Sequence, residues 1–334
     1  MDNIINTLLS YGWGVAVVML VVGFVALVKG ADWLVDGASA IAKRFGISDL
    51  IIGLTVVAFG TSMPEFVVNM VSVAHGTTDL AMTNILGSNI INTFVILGLT
   101  ALIFPIASQK HSRNFDIPLS IIAGLIVLVM VAVNTPFGED VRGISRLGGI
   151  LLLAFFCFFL YDAFTHAKEH SEETNSEEAA NTTISIGKAI MLILVGLIGL
   201  VIGGELIVDS AVDIATRCGV SEAIIGLTVV ALGTSLPELA TSVIAAFKKN
   251  CDIAIGNVFG SNIFNVFFVL GTSAAIHPLP AYEGCELDAF MAALGSIIVW
   301  IALRTNKQRI LKRWAGGLLL IVYGGYLAYR LLNV

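Results

Sequence analysis

Two glutamates stand inside long apolar stretches, Glu65 in VVAFGTSMPEFVV and Glu238 in VVALGTSLPELAT. An ionisable side chain at such a depth costs at least about 2.5–3.5 kcal/mol, so something must offset it. Each glutamate follows a proline, Pro64 or Pro237, which removes a backbone N–H and clashes with the carbonyl four residues earlier, at Gly60 or Gly233. A break there frees carbonyls around Ala58, Gly60, Ala231 and Gly233 to face a cation. Non-helical backbone at membrane depth is tolerated only where it lines a cavity or protein interior. Thr61 and Thr234, each four residues before its glutamate, and Ser62 and Ser235 add hydroxyls. Two carboxylates, hydroxyls and carbonyls make an all-oxygen shell, which suits Ca2+ with its 6–8 ligands and irregular geometry better than octahedral Mg2+. No His or Cys lies beside the acids, which argues against zinc or copper.

A second block, GSNIIN (Gly87–Asn92), returns as GSNIFN (Gly260–Asn265). Gly87 and Gly260 permit close helix approach. Ser88, Asn89, Asn92, Ser261, Asn262 and Asn265 put polar groups into two 30-residue runs free of Asp, Glu, Lys and Arg, Leu80–Gln109 and Ile253–Tyr282. For Ser88, Asn89, Ser261 and Asn262, interhelical packing and ion binding stand as equal readings.

The elements that position these groups follow from a repeat. Residues 46–106 align without gaps to 219–279 at an offset of 173, with 29 identities in 61 positions. The match runs weakly upstream, Gly30, Asp32 and Asp36 meeting Gly203, Glu205 and Asp209. Of the 334 residues 57% are hydrophobic and 13% charged, about half the charge of a soluble domain. That excludes a soluble enzyme, a nucleic-acid binder and a disordered chain. Apolar runs predict ten membrane spans, near 12–42, 47–74, 79–104, 115–134, 146–165, 186–216, 219–246, 252–277, 286–303 and 312–332. The first is expected to be a membrane helix and not a cleaved signal. Five spans separate equivalent points of the copies, so the halves enter the membrane from opposite sides. The expected fold is an all-α polytopic membrane protein: a five-helix half (1–165), an acidic linker (166–185) and an inverted second half (186–334), with a midplane site between repeats. With both termini outside, the inner loops hold 13 Lys and Arg against 4 outside, which sets the orientation and puts the linker in the cytoplasm.

The paired GTSxPE and GSNIxN blocks resemble the two α-repeats of the cation/calcium antiporter superfamily, most closely the prokaryotic sodium/calcium exchangers. The resemblance covers essentially the whole chain. It implies ten helices, alternating access and exchange of Na+ for Ca2+, with those ions as partners alongside the lipid bilayer of a bacterial or archaeal inner membrane. It implies no cofactor, enzyme activity or obligate protein partner. Carried over, the calcium ligands fall on Glu65, Glu238, Thr61 and Thr234. The sodium ligands add Ser62, Ser235 and the carbonyls of Ala58 and Ala231, and the central polar pair falls on Asn92 and Asn265. Many relatives carry Asp at the position of Asn265, so this site has two formal negative charges. That weakens an inference of potassium dependence and leaves open two or three Na+ per Ca2+. A proton/calcium antiporter is the alternative, since close carboxylates invite protons. A calcium channel is less favoured, and an intramembrane protease lacks its GxGD pattern or Ser/His pair.

Other signals are weaker. Lys29 shares a helix face with Asp32 and Asp36. Glu205, Asp209 and Asp213 form an acidic face in the sixth span, which with the first resembles the family's sliding pair, so these acids are candidates for an ion entrance. Cys157, Cys218, Cys251 and Cys285 show no metal pattern, and Cys218 and Cys285 are candidates for a shared membrane face. The five histidines fall near loops.

Overall fold

The computed structural model describes residues 12–133, 142–173, 184–219 and 231–332, together with Ile5. Its helices are α1 (Trp13–Phe45), α2 (Asp49–Thr61), α3 (Met63–Ala74), α4 (Thr78–Ile103), α5 (Ser112–Ala132), α6 (Arg146–Glu173), α7 (Ile186–Arg217), α8 (Leu236–Phe247), α9 (Cys251–Ile276), α10 (Cys285–Thr305) and α11 (Arg313–Leu332). Among the described residues eight helices are long and apolar enough to cross a membrane, and α2 with α3, bent by 44° at their junction, make a ninth. The expected span 219–246 is represented by a helical turn over Ala231–Gly233 and by α8, while 220–230 lie outside the described residues, as does linker stretch 174–183.

Local chemistry sets the helix ends. Gly46 closes α1 with φ +65° and Ser48 caps α2 by accepting from Ile51 N–H at 3.3 Å. Ser185 caps α7 and Asn250 caps α9 in the same way. Short two-residue strands, unforeseen in the sequence, pair antiparallel: β1 (Ile106–Ala107) with β4 (Ile310–Leu311), and β2 (Gly143–Ile144) with β3 (Leu279–Pro280). Each ladder ties one half of the chain to the other, and β1 and β3 are equivalent under the repeat offset.

The two uncharged runs become the centre. The apolar windows of α4 and α9 are 78% and 94% buried inside the protein, against 17–33% for α1, α6, α7 and α11, whose sides are left for lipid. α1 and α7 cross along a glycine seam. A Cβ at Gly30 would stand 2.7 Å from Leu200 N, one at Gly196 2.7 Å from Leu34 N, and one at Gly203 2.6 Å from Leu27 N. Side chains at these positions would drive the helices apart. Gly260 allows the close approach expected of it, against Leu54 and Ala58. A Cβ at Gly87 has no described atom within 4 Å, and Leu227, the repeat equivalent of Leu54, lies outside the described residues. All four cysteines are free; Cys218 is exposed and Cys285 buried.

Candidate ion-binding site

The break expected at each proline is present twice with one geometry. α2 stops at Thr61, Ser62 adopts φ −86° and ψ 6°, and α3 restarts with Pro64 in its first turn. In the second half Ser235 adopts φ −88° and ψ 3° before α8, with Pro237 in the first turn. Proline is tolerated there because a first-turn N–H has no intrahelical partner. Glu65 and Glu238 fall in the same first turns and are both fully buried. The helix N-terminus offers each carboxylate partial positive charge.

The hydroxyls around them come both from the same half and from the other. Ser62 Oγ donates to Glu238 Oε1 at 2.9 Å, and Ser261 Oγ donates to the same oxygen at 3.4 Å. Ser88 Oγ, the repeat equivalent of Ser261, donates to Glu65 Oε1 at 3.3 Å. Thr234 lies beside Glu65 and Thr61 beside Glu238, and the two carboxylates are close enough to repel. The carbonyl of Ala58 departs from expectation: it accepts from Ser62 N–H at 3.0 Å and from Thr61 Oγ1 at 3.4 Å, so the last turn of α2 still uses it. Ala231 begins the turn before Thr234.

Asn92 and Asn265 sit where α4 and α9 each widen into a π-helical segment, Ile91–Ile96 and Phe264–Leu270. Such turns are rare and concentrate at functional sites. Asn92 Nδ2 donates to Asn262 Oδ1 at 3.2 Å, and Asn265 Nδ2 donates to Asn89 Oδ1 at 3.1 Å. These two bonds are the same bond under the repeat offset. Asn262 Nδ2 is committed to Thr93 Oγ1 at 2.8 Å, and Asn89 Nδ2 to the Asn262 carbonyl at 3.1 Å, which fixes all four amides. In Asn92 and Asn265 the nitrogens are thus used and the oxygens are not. Asn92 Oδ1, Asn265 Oδ1, Glu65 Oε2, Glu238 Oε2 and Ser235 Oγ are buried without a hydrogen-bond partner. A buried unpaired polar atom costs about 1–3 kcal/mol. Five of them, all hard oxygens and drawn from both halves, fit a cation cargo.

Sequence reasoning missed a supporting layer. Asn257 Nδ2 donates to the Glu238 carbonyl at 3.2 Å and to Ser242 Oγ at 2.9 Å, while its Oδ1 accepts from Thr61 Oγ1 at 3.1 Å. Its equivalent, Asn84, donates to Asn69 Oδ1 at 2.9 Å. The offset of 173 pairs Asn84 with Asn257 and Asn69 with Ser242, and that polar-on-polar match was the available signal. Of the acidic face on α7, Glu205 and Asp209 line a cavity of about 190 Å³ that reaches Thr234, Pro64 and Pro237, whereas Asp213 pairs with Arg217 at 2.6 Å. Asp32 and Asp36 on α1 do not depend on Lys29: Lys248 Nζ stands 2.7 and 2.6 Å from their carboxylates.

Comparison with known proteins agrees with this architecture. The family model described as sodium/calcium exchanger protein matches residues 15–165 and 188–332. The putative antiporter CaxA of Alkalimonas amylolytica is 37% identical over 93% of this chain and 97% of its own length. The sodium/calcium exchanger MaX1 of Methanosarcina acetivorans is 31% identical over 92% of this chain and 96% of its own. A solved structure of the sodium-calcium exchanger NCX_Mj, soaked with 10 mM Na+ and zero Ca2+, superposes with a TM-score of 0.80 at 31% identity, covering 94% of this chain and 98% of that one. These relatives are transporters and not enzymes. The chain is an integral membrane protein of the sodium/calcium exchanger family.

Proposed function

We propose that this protein exchanges Na+ for Ca2+ by alternating access through one midplane site, with Glu65 and Glu238 as its charged ligands. Thr61, Thr234, Ser62, Ser235, Asn92, Asn265 and the carbonyls of Ala58 and Ala231 complete the ligand set. The halves 1–165 and 186–334 are inverted relative to each other, the linker 166–185 and the Lys- and Arg-rich loops face the cytoplasm, and both termini lie outside. The membrane is the inner membrane of a bacterium or archaeon. The observation that carries this reading is the set of unpaired buried oxygens from both halves. Two carboxylates balance one Ca2+ or two Na+. Without an ion the mutual repulsion of Glu65 and Glu238 disfavours carrying the site through an apolar barrier, so empty return is suppressed and exchange is coupled.

Proteoliposomes loaded with Na+ should accumulate 45Ca2+ when diluted into Na+-free buffer. Glu65→Gln or Glu238→Gln should abolish that flux while leaving the melting temperature of the purified protein within a few degrees. Full flux in either variant would sink the two-glutamate site. Flux driven by a pH gradient in the absence of Na+ would replace sodium by protons as the coupling ion.

A further inference from the structure

Residues 80–115 contain no Asp or Glu, and neither do residues 289–334. The β1–β4 ladder brings these two acid-free stretches together, in the register Ile106–Leu311 and Ala107–Ile310, with Ser108 N–H donating to the Arg309 carbonyl at 3.1 Å. Seven cations therefore gather at one end of the bundle: Lys110, Arg113, Arg304, Lys307, Arg309, Lys312 and Arg313. Among the described residues none of them forms an ion pair. The guanidiniums lean on neutral oxygens instead. Arg113 donates to the Ser108 carbonyl and Arg309 to the Arg304 carbonyl. Arg304 donates to Asn114 Oδ1 at 2.9 Å and Arg313 to the Ile103 carbonyl at 3.2 Å. Arg113 is close enough to Arg304 and Arg309 to feel their charge. Neutral partners orient these groups without cancelling their field.

Two of the three lysines in this cluster, Lys307 and Lys312, line a cavity of about 480 Å³ between α10 and α11, with Thr305, Asn306, Gln308 and Trp314. The cavity opens at the N-terminus of the 20-residue α11, whose first-turn amides favour an anion. Tryptophans mark the level. Trp314 is 63% exposed on the rim, and Trp300 donates to the Arg113 carbonyl at 2.9 Å beneath the Arg304 guanidinium, 4.6 Å from its ring. Tryptophan at the ends of membrane helices lies at headgroup depth. Concentrated positive charge with no ion-paired carboxylate among the described residues, a polar cavity and interfacial aromatics meet at that one level.

We propose that this cavity binds the phosphodiester headgroup of an anionic phospholipid, held by Lys307 and Lys312, with its acyl chains against α10 and α11. The site is separate from Glu65 and Glu238 and independent of the transported ions.

Native mass spectrometry of the full-length protein, titrated with phosphatidylglycerol or phosphatidylcholine, tests this without any transport assay. Phosphatidylglycerol should bind more tightly, and Lys307→Gln with Lys312→Gln should weaken it about 30-fold, at about fivefold per lysine near an anionic surface. Lys43→Gln with Lys188→Gln, which removes equal charge elsewhere, should leave binding unchanged. Both lysines of the cavity are exposed, so the double variant should melt as the parent does. Equal binding of the two lipids, retained affinity in the double variant, or an equal loss in the control would overturn the site. Displacement of the lipid by equimolar inorganic phosphate would overturn the lipid assignment.

Discussion

At the scale of the residue, an asparagine is an ambiguous ligand, since its amide presents a donor or an acceptor. Here the choice is made by the neighbouring half. Asn262 holds the nitrogen of Asn92, Asn89 holds the nitrogen of Asn265, and both freed oxygens remain buried. In the proposed ion site Asn89 and Asn262 are thus positioning residues, and of the two readings open from sequence, helix packing would serve ion binding instead of competing with it. Asn262→Leu keeps the branching of the side chain and removes the restraint. Asn92 is then free to turn its NH2 group inward, replacing an acceptor with a donor beside a cation. Apparent Ca2+ affinity, read as the half-saturating concentration of Na+-driven uptake, should fall about 10- to 100-fold, the worth of one hydrogen bond to charge at about 1.5–3 kcal/mol. Unchanged half-saturation would show that Asn92 needs no such support.

At the scale of the element, pattern was a sufficient guide wherever the cause is local. The apolar runs placed the described span ends within a few residues except at α6, which continues to Glu173 into the expected linker, and the two breaks follow from proline chemistry that acts within four residues. The seam between α1 and α7 was less legible. Gly23, Gly30 and Gly37 recur every seven residues and have equivalents at Gly196, Gly203 and Ser210, but the partner helix is not written in that spacing. The π-helical segments at Asn92 and Asn265 were invisible, because one extra residue in a turn leaves hydropathy unchanged. The histidines near loops carry no pattern in the sequence, yet His111 bridges Asp162 on α6 at 3.2 Å and Asp116 on α5 at 3.6 Å. The seam also makes its own prediction. A methyl at Gly30 has backbone atoms at 2.7 and 2.8 Å and no flexible side chain to displace. Gly30→Ala should destabilise the detergent-purified protein by about 1–3 kcal/mol in thermal unfolding, the usual cost of overpacking. Gly324→Ala, with nothing described within 4 Å, should not. Equal melting temperatures would mean that α1 and α7 separate without cost.

At the scale of the whole molecule, a repeat in sequence does not have to be equal in structure, and the inequality is where a direction can be read. The acids of α7, Glu205 and Asp209, line a cavity leading to Thr234. Their equivalents on α1, Asp32 and Asp36, are capped by Lys248 from the end of α8, and Asn250 adds bonds to Ser39 at 3.1 Å and Asp49 at 2.7 Å. The residue equivalent to Lys248 in the first half is His75, so the offset that revealed the site could not reveal the cap. The proposed alternating access would require the capped side to open in its turn, and the ion pairs of Lys248 with both acids oppose a separation of α1 from the end of α8. All three groups are partly exposed, which limits each pair to about 0.2–1 kcal/mol and makes it sensitive to salt. Two such pairs amount to at most about 2 kcal/mol, or about a 30-fold change in population. Lys248→Gln should therefore raise amide hydrogen exchange over residues 30–45 of α1 by up to that factor while leaving the glycine seam near Gly23 protected. High ionic strength should raise it in the parent protein and have little further effect in the variant. Identical exchange in parent and variant would mean that the end of α1 is held by packing alone and that the ion pairs do not resist its movement.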